Sequence, residues 1–214
     1  MKKIYIFRSQ LNRMNKESLY LVFQCTRVIN SIKTFNKLLK EKEHGRNKND
    51  LNGKEFIEIL LFNASSIWEV LDLLNKDLAK RMKGTISDEL QKRVDKIILL
   101  IKSGKDESIN ILKDIRNKHS FHIAYDKNYA LSFFKDGPSR WDMKIGMLAS
   151  TREEDIVYTI EDEILMSYLM REFNKTENEV FDLIIESISK YVQELLNLFN
   201  SILFELVDSK IYIC

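Results

Sequence analysis

Apolar residues recur at intervals of three and four positions along most of the chain, which is the spacing of one face of an α-helix. The first stripe predicts a helix over residues 18–42, and the polar, glycine-containing residues 44–53 predict a loop after it. A second, longer stripe predicts a helix that ends near Gly84. The two stripes consist of Leu21, Cys25, Val28, Ile32, Phe35 and Leu39, and then of Phe56, Leu60, Ala64, Ile67, Leu71, Leu74, Leu78 and Met82.

Two shorter helices are predicted in the middle of the chain. Ser87 is a candidate N-cap for the first of them, which ends near Gly104. The second is expected to begin near residues 105–106, where an acidic side chain suits the positive end of a helix. Its apolar positions, Ile109, Leu112 and Ile115, lead directly into Arg116.

Helical spacing returns in the C-terminal part of the chain. It resumes near Glu161, and Thr176 and Glu179 form a Thr-x-x-Glu capping box immediately before the last long stripe. That stripe consists of Phe181, Ile184, Ile188, Tyr191, Leu195, Leu198 and Ile202. It predicts a long helix near the end of the chain.

The helical pattern is interrupted between residues 126 and 160. The tripeptide Asp136-Gly137-Pro138 indicates a turn, and residues 144–150 and 156–160 are candidate strands of a β-hairpin around residues 151–155. The chain has only 1 proline and 6 glycines, which favours long helices over a turn-rich β fold. We therefore expect an all-α fold. It is one domain over residues 1–214, an antiparallel bundle of five to six helices with a small hairpin or loop inserted within residues 127–160.

Charge is distributed unevenly, although the formal net charge is only +2. Residues 80–118 contain 11 Lys or Arg and 6 Asp or Glu, whereas residues 152–194 contain 4 Lys or Arg and 12 Asp or Glu. A basic region attracts phosphates, but the solvated faces of amphipathic helices give the same counts. Charge alone leaves both interpretations open.

The two cysteines, Cys25 and Cys214, belong to no Cys-x-x-Cys pair, so neither a disulfide framework nor structural zinc is expected. The basic start of the chain turns apolar, but the apolar stretch stops at Phe7, too short for a signal-peptide core. No apolar run has the length of a membrane span. We expect a soluble cytoplasmic protein without a metal or a membrane partner.

Residues 116–122, with the sequence Arg-Asn-Lys-His-Ser-Phe-His, hold two of the chain's 3 histidines at the end of an amphipathic helix. Arg116 is permanently charged and its donor fork matches phosphate. Asn117 is able to orient a phosphate by hydrogen bonds, and His119 or His122 exchanges protons near neutral pH. Such groups can cleave RNA without a metal. A base activates the ribose 2′-hydroxyl, a cation stabilises the phosphorane, and an acid protonates the leaving oxygen.

Helical geometry restricts how these side chains meet. At about 100° per residue, Ile115 and His122 nearly share a face, so His122 is expected to point along the apolar stripe toward the core or a partner. On a straight helix Arg116 and His122 diverge by roughly 120°, too far to close around one phosphate. Either the helix is distorted here, or two copies meet on a twofold axis and pool their residues. Tyr125 and Asp126 are near enough in sequence to assist.

Arg116 and Asn117, with His122 five positions after Asn117, resemble the Arg-x(4–6)-His motif of the HEPN superfamily (higher eukaryotes and prokaryotes nucleotide-binding domains). Active members often carry a polar residue directly after the arginine, where this chain has Asn117. The resemblance implies a helical bundle and a metal-independent endoribonuclease whose composite site forms between two copies of the chain. It also implies a toxin or abortive-infection role in phage defence, under an antitoxin or another regulator. Arg116, Asn117 and His122 would be catalytic, with His119 a supporting or incidental neighbour in the variable gap.

Other interpretations fit the same segment. Arg116 also suits the negative end of a helix dipole as a surface cation, and the histidines suit partly buried packing positions. His119, His122 and Asp126 are spaced to share a metal, but no second ligand cluster supports such a site. No Gly-rich phosphate loop or Ser-His-Asp signature is present, so no cofactor is expected. The alternative to the ribonuclease is a helical module that binds RNA or a protein without catalysis.

Overall fold

Helices account for nearly all of the chain that the structure describes. The computed structural model describes residues 4–5, 14–41, 51–117, 147–148, 157–158, 160–207 and 212–213. Its helices are α1 (Lys16–Glu41), α2 (Leu51–Leu73), α3 (Ala79–Met82), α4 (Asp88–Ser103), α5 (Glu107–Ile115), α6 (Ile160–Phe173) and α7 (Glu177–Val207). A π-helical turn, Leu74–Leu78, joins α2 to α3 without a break, so these residues form six helical units. The predicted all-α bundle is confirmed.

The described residues also include four strands of two residues each. In the predicted hairpin region, β2 (Met147–Leu148) pairs antiparallel with β3 (Val157–Tyr158), and Met147 lies opposite Tyr158. The other residues of the predicted hairpin, and the predicted turn at residues 136–138, lie outside the described ranges. The second pair joins β1 (Ile4–Tyr5) to β4 (Tyr212–Ile213), also antiparallel. Two residues are too few for an alternating pattern, so the sequence did not indicate this second pair.

Helix α2 is the central element of the core. It contacts α1, α4, α5 and α7, and its buried residues cover most of its circumference. Only a narrow outward stripe, which includes Phe62 and Glu69, is left accessible. A helix that is apolar on most sides is expected in such a position. The buried residues of α2 are Phe56, Ile57, Leu60, Leu61, Asn63, Ala64, Ser65, Ile67, Trp68, Val70 and Leu71.

Several predicted helix ends are confirmed. The Thr176 N–H donates to Glu179 Oε2 at 2.7 Å and the Glu179 N–H donates to Thr176 Oγ1 at 3.4 Å, the reciprocal bonds of a capping box. Gly84 follows α3 with φ +76°, and Gly104 ends α4 with φ +62°. Both glycines adopt the left-handed conformation that other residues rarely take.

One predicted helix end is wrong, and another is confirmed in position but lacks its side-chain bond. Helix α2 already begins at Leu51, so residues 51–53 of the predicted loop are helical. Gly53 made these residues look like a loop. One glycine in the first turn destabilises a helix only slightly, and tertiary packing offsets this cost. Ser87 occupies the N-cap position, yet its side chain makes no capping bond. Its backbone N–H instead donates to Glu205 Oε1 on α7 at 2.5 Å.

Two contacts fix α4 against α7. Ser87, just before α4, meets Glu205 near the end of α7, and Asp106, just after α4, meets Lys190 in the middle of α7. The start of α4 therefore lies near the end of α7, and the end of α4 lies near the middle of α7, so the two helices run antiparallel. The second contact also fixes the point where α5 begins. It therefore helps to fix the position of Arg116 and Asn117 at the end of α5.

Asp106 performs two tasks at this junction. Its Oδ1 accepts the Ile109 N–H at 3.1 Å as the N-cap of α5, and its Oδ2 accepts from Lys190 Nζ at 2.7 Å and from the Tyr191 hydroxyl at 3.1 Å. Burial by itself raises the pKa of the Asp106 carboxyl. The hydrogen bonds from Lys190 and Ile109 outweigh burial and hold that pKa below its usual range.

We expect Asp106→Asn to lower the free energy of unfolding at pH 7 by about 1–3 kcal/mol, because the amide keeps an acceptor for Ile109 but loses its charge against Lys190. A depressed carboxyl pKa stabilises the fold above the unfolded pKa of about 3.9, and this contribution is lost as pH falls through the folded pKa. Urea unfolding at pH 7 and pH 3 should therefore show a smaller gap between wild type and variant at pH 3. The exposed Asp95 supplies a control, since Asp95→Asn should change little at either pH. Equal gaps for Asp106→Asn at both pH values would contradict the assignment.

Candidate functional site

Helix α5 presents the candidate segment from a fixed position. Ile109, Ile111, Leu112 and Ile115 are each at most 1% exposed, and the helix contacts α2, α6 and α7. Arg116 follows the last of these buried residues directly, so the bundle holds its backbone. The Arg116 side chain is 30% exposed, and Asn117 is exposed. Both side chains therefore reach the surface from a rigid base.

Arg116 forms an ion pair with Glu69, a residue on the outward stripe of α2. The Arg116 Nε lies 2.5 Å from Glu69 Oε1 and donates a hydrogen bond to it. The Glu69 side chain is 43% exposed. Partly exposed ion pairs contribute only about 0–1 kcal/mol to folding. The contact is therefore more important for the direction of the guanidinium group than for the stability of the bundle.

The backbone changes geometry at the start of the motif. Residues up to Ile115 are α-helical, and a π-helical segment begins at Arg116 and Asn117, although Arg116 keeps α-helical torsion angles of φ −58° and ψ −46°. A π-helical turn holds more residues than an α-helical one, so it alters the angles between side chains that a straight α-helix would give. Single π turns are also frequent at functional sites. The two alternatives predicted from the spacing, a distorted helix and a meeting of two copies, both stay predictions, because His122 lies outside the described residues.

The predicted site residues are only partly placed. The structure brings Arg116 and Asn117 to one helix end and adds Glu69 beside them. His119, His122, Tyr125 and Asp126 lie outside the described residues. Their roles, and the meeting of two copies, therefore stay predictions.

Sequence reasoning missed Glu69. It is one of three charged residues between Phe56 and Leu74, the others being Glu58 and Asp72, and an isolated charge on a helix of this kind is a signal of outward position. The spacing cannot name its partner, because Arg116 is 47 residues further along the chain. Only the packing of α5 on α2 brings the two side chains together.

Part of the basic surplus in residues 80–118 is neutralised within the fold. Arg81 donates from Nε to Asp77 Oδ1 at 2.8 Å and from Nη1 to Glu17 Oε2 at 3.0 Å. On α4, in contrast, Lys92 and Lys96 are exposed along a shallow groove.

The groove on α4 has an apolar centre. Leu99 lies between these lysines and Ser103 along it and is 70% exposed. The groove also contains the exposed Asp95, and further exposed acidic residues, Glu179, Asp182 and Glu186, lie on α7. The groove on α4 therefore carries both signs of charge.

Other chemistries find little support in the described part of the chain. Cys25 is fully buried, and burial raises the pKa of its thiol to about 12, so it does not act as a thiolate nucleophile. Among the residues with described positions, no three His, Cys, Asp or Glu side chains gather in a way that would hold a metal ion.

Within the same residues, none of the helices combines the length and the apolar character that crossing a membrane requires. Comparisons with protein-family models, with curated proteins and with solved structures find no match to this chain.

Proposed function

We propose that this chain is a metal-independent endoribonuclease of the HEPN type, acting in the cytoplasm as a homodimer. The observation that supports this most directly is the Arg-Asn-x(4)-His spacing, whose first two residues lie at the exposed end of a buried helix. Arg116 is partly accessible there and held by a carboxylate. Such an arrangement suits recognition of a phosphate by an oriented guanidinium group.

In the proposed reaction a base removes the proton of a ribose 2′-hydroxyl, and the oxygen attacks the adjacent phosphorus. His122 is this base or the acid that protonates the leaving oxygen. The bond from phosphorus to the 5′-oxygen breaks, and a protonated group returns a proton to that leaving oxygen. Arg116 stabilises the negative charge of the phosphorane, and Asn117 orients the phosphate or the histidine. The products are a 2′,3′-cyclic phosphate and a 5′-hydroxyl. His119, Tyr125 and Asp126 are supporting candidates.

A second copy of the chain would complete the site. On a straight helix Arg116 and His122 point in directions that differ by roughly 120°, and a twofold interface would allow one copy to supply the cation and the other the base.

The biological role that fits such an activity is a toxin or an abortive-infection effector against phage. RNA cleavage inside a growing cell has to be restrained until it is needed. An antitoxin or another regulatory chain is therefore part of the proposal. This role rests on the family resemblance of the motif.

The alternative is a helical module that binds RNA or a protein without cutting. The groove on α4 supports this alternative, because Lys92 and Lys96 are exposed there beside Leu99, with Asp95 between them. Binding of this kind falls steeply with salt concentration, because phosphate contacts release counterions. It would leave RNA intact at any protein concentration.

A cleavage assay in the presence of a chelator tests the proposal. The full chain is expected to cut RNA and to leave cyclic-phosphate ends, whereas Arg116→Ala should reduce the rate by at least about 100-fold. Arg171→Ala is the matched control, because Arg171 is an exposed arginine in the last turn of α6. Unchanged cleavage by Arg116→Ala would reject the assignment. Salt-sensitive binding by the wild-type chain without products would favour the binding module.

A further inference from the structure

Both partners of the Arg116–Glu69 pair are anchored by buried neighbours. Glu69 lies between Trp68 and Val70, which are 9% and 7% exposed, and Arg116 follows Ile115, which is 0% exposed. The bundle therefore fixes both backbones, and only the two side chains have freedom. A charged group held in this way is oriented before any ligand arrives.

The side of the guanidinium group that Glu69 contacts is informative. An arginine side chain has several rotatable bonds, and without a partner it samples many orientations. A hydrogen bond from Nε to Glu69 Oε1 restricts the orientations of the guanidinium group. The guanidinium group carries five N–H donors in one plane, of which this bond uses one.

We propose that Glu69 is a positioning residue, which aims the Arg116 guanidinium group at the scissile phosphate of the RNA. The inference rests on the proposed ribonuclease function and extends it to a residue outside the motif. Glu69 does not touch the reacting atoms. Its effect on the reaction passes through the orientation of Arg116, and orientation errors of about 1 Å are able to cost about 100-fold in rate.

A simple tie between α2 and α5 is the competing explanation, and RNA affinity separates the two. Removing Glu69 removes a negative charge near the expected phosphate, so electrostatics alone predicts equal or tighter RNA binding. A positioning role predicts that the cleavage rate falls all the same. Slower cleavage at unchanged or higher affinity therefore identifies positioning.

The experiment uses the full chain and single-turnover kinetics on one RNA. Glu69→Ala is expected to slow cleavage by about 10- to 100-fold, and Glu69→Gln, which keeps an acceptor for the Arg116 Nε, should lose less. Affinity is measured with the same RNA carrying 2′-O-methyl groups, which cannot be cut by the proposed reaction. Asp72→Ala is the matched control, because it removes a carboxylate and its ion pair to Lys76 from the same helix. It should cleave as the wild type does.

Two further variants test the route of the effect. In an Arg116→Ala background, Glu69→Ala should cause no additional loss, since its target is already gone. The exchange Glu69→Arg with Arg116→Glu rebuilds an ion pair but leaves the motif without its arginine, so it should stay inactive. The midpoint of thermal unfolding should move by no more than about 2–4 °C in Glu69→Ala, as expected for a partly exposed pair.

The outcomes separate the inference from the proposed function. Wild-type cleavage that Glu69→Ala does not slow would overturn the positioning role and leave the ribonuclease intact. The positioning role would also be overturned if the rate losses of Glu69→Ala and Arg116→Ala multiply in the double variant, or if the exchanged pair restores cleavage. Absence of cleavage by the wild-type chain would overturn the proposed function and the inference together.

Discussion

Replacing His122 with alanine is expected to reduce RNA cleavage by about 100- to 10,000-fold, the range that one general acid or base contributes. The proposed reaction has no metal to generate a nucleophile, so proton removal from the ribose hydroxyl depends on this imidazole. The rate of the wild-type enzyme should depend on pH through this imidazole, and His122→Ala should lose that dependence. Single-turnover rates between pH 5 and pH 8 measure both effects.

The chain supplies its own controls, because it contains only 3 histidines. His44→Ala should cleave as the wild type does, and His119→Ala should be affected less than His122→Ala. Circular dichroism should show the same helical content in each variant. Wild-type rates from His122→Ala would contradict the motif assignment. A loss from His119→Ala as large as that from His122→Ala would also contradict it, because His119 is not a position of the HEPN motif.

The largest expected effect on stability comes from the central helix. Leu71 is 0% exposed on α2, which other helices surround on most sides, so a cavity left there has little chance of closing. Leu71→Ala should therefore lower the free energy of unfolding by about 2–5 kcal/mol, a large share of the total of about 5–15 kcal/mol. Urea unfolding at neutral pH, followed by circular dichroism, measures the change.

The same substitution at an exposed position is the matched control. Leu99 is 70% exposed on the outer face of α4, and alanine has at least the helix propensity of leucine. Leu99→Ala should therefore change the free energy of unfolding by no more than about 0.5 kcal/mol. Similar losses from the two variants would mean that α2 is not the buried centre of the bundle.

Much of the architecture follows from local rules that the sequence displays. The stripe of α7 and its capping box gave the start of that helix correctly, because Thr176 and Glu179 bond to each other within one turn. Asp106 was correctly expected near the start of α5, since an N-cap bonds its own helix three residues on. In each case the partners are neighbours in sequence, so spacing is sufficient to find them.

The remaining features depend on contacts between distant parts of the chain. Glu69 meets Arg116 across 47 residues and Asp106 meets Lys190 across 84. These pairings follow from how helices pack, and periodicity within one helix carries no information about them. The same applies to Ser87, whose backbone partner on α7 could not be expected from its own neighbourhood. Sequence therefore indicated the two motif residues at the end of α5 but not the carboxylate beside them.

The π-helical turn between α2 and α3 has a consequence for how this protein can change in length. Within Leu74–Leu78 the Ala79 N–H bonds back to the Leu74 carbonyl, five residues away, so this turn holds one residue more than an α-helical turn would. Losing the exposed Lys76 would turn the bulge into ordinary α-helix and leave the helices on either side in their present orientation. Deleting one residue from the α-helical turn before the bulge would instead rotate the following residues by about 100° and turn their buried face out of the core. The central helix thus contains a place where evolution is able to remove a residue without repacking the bundle.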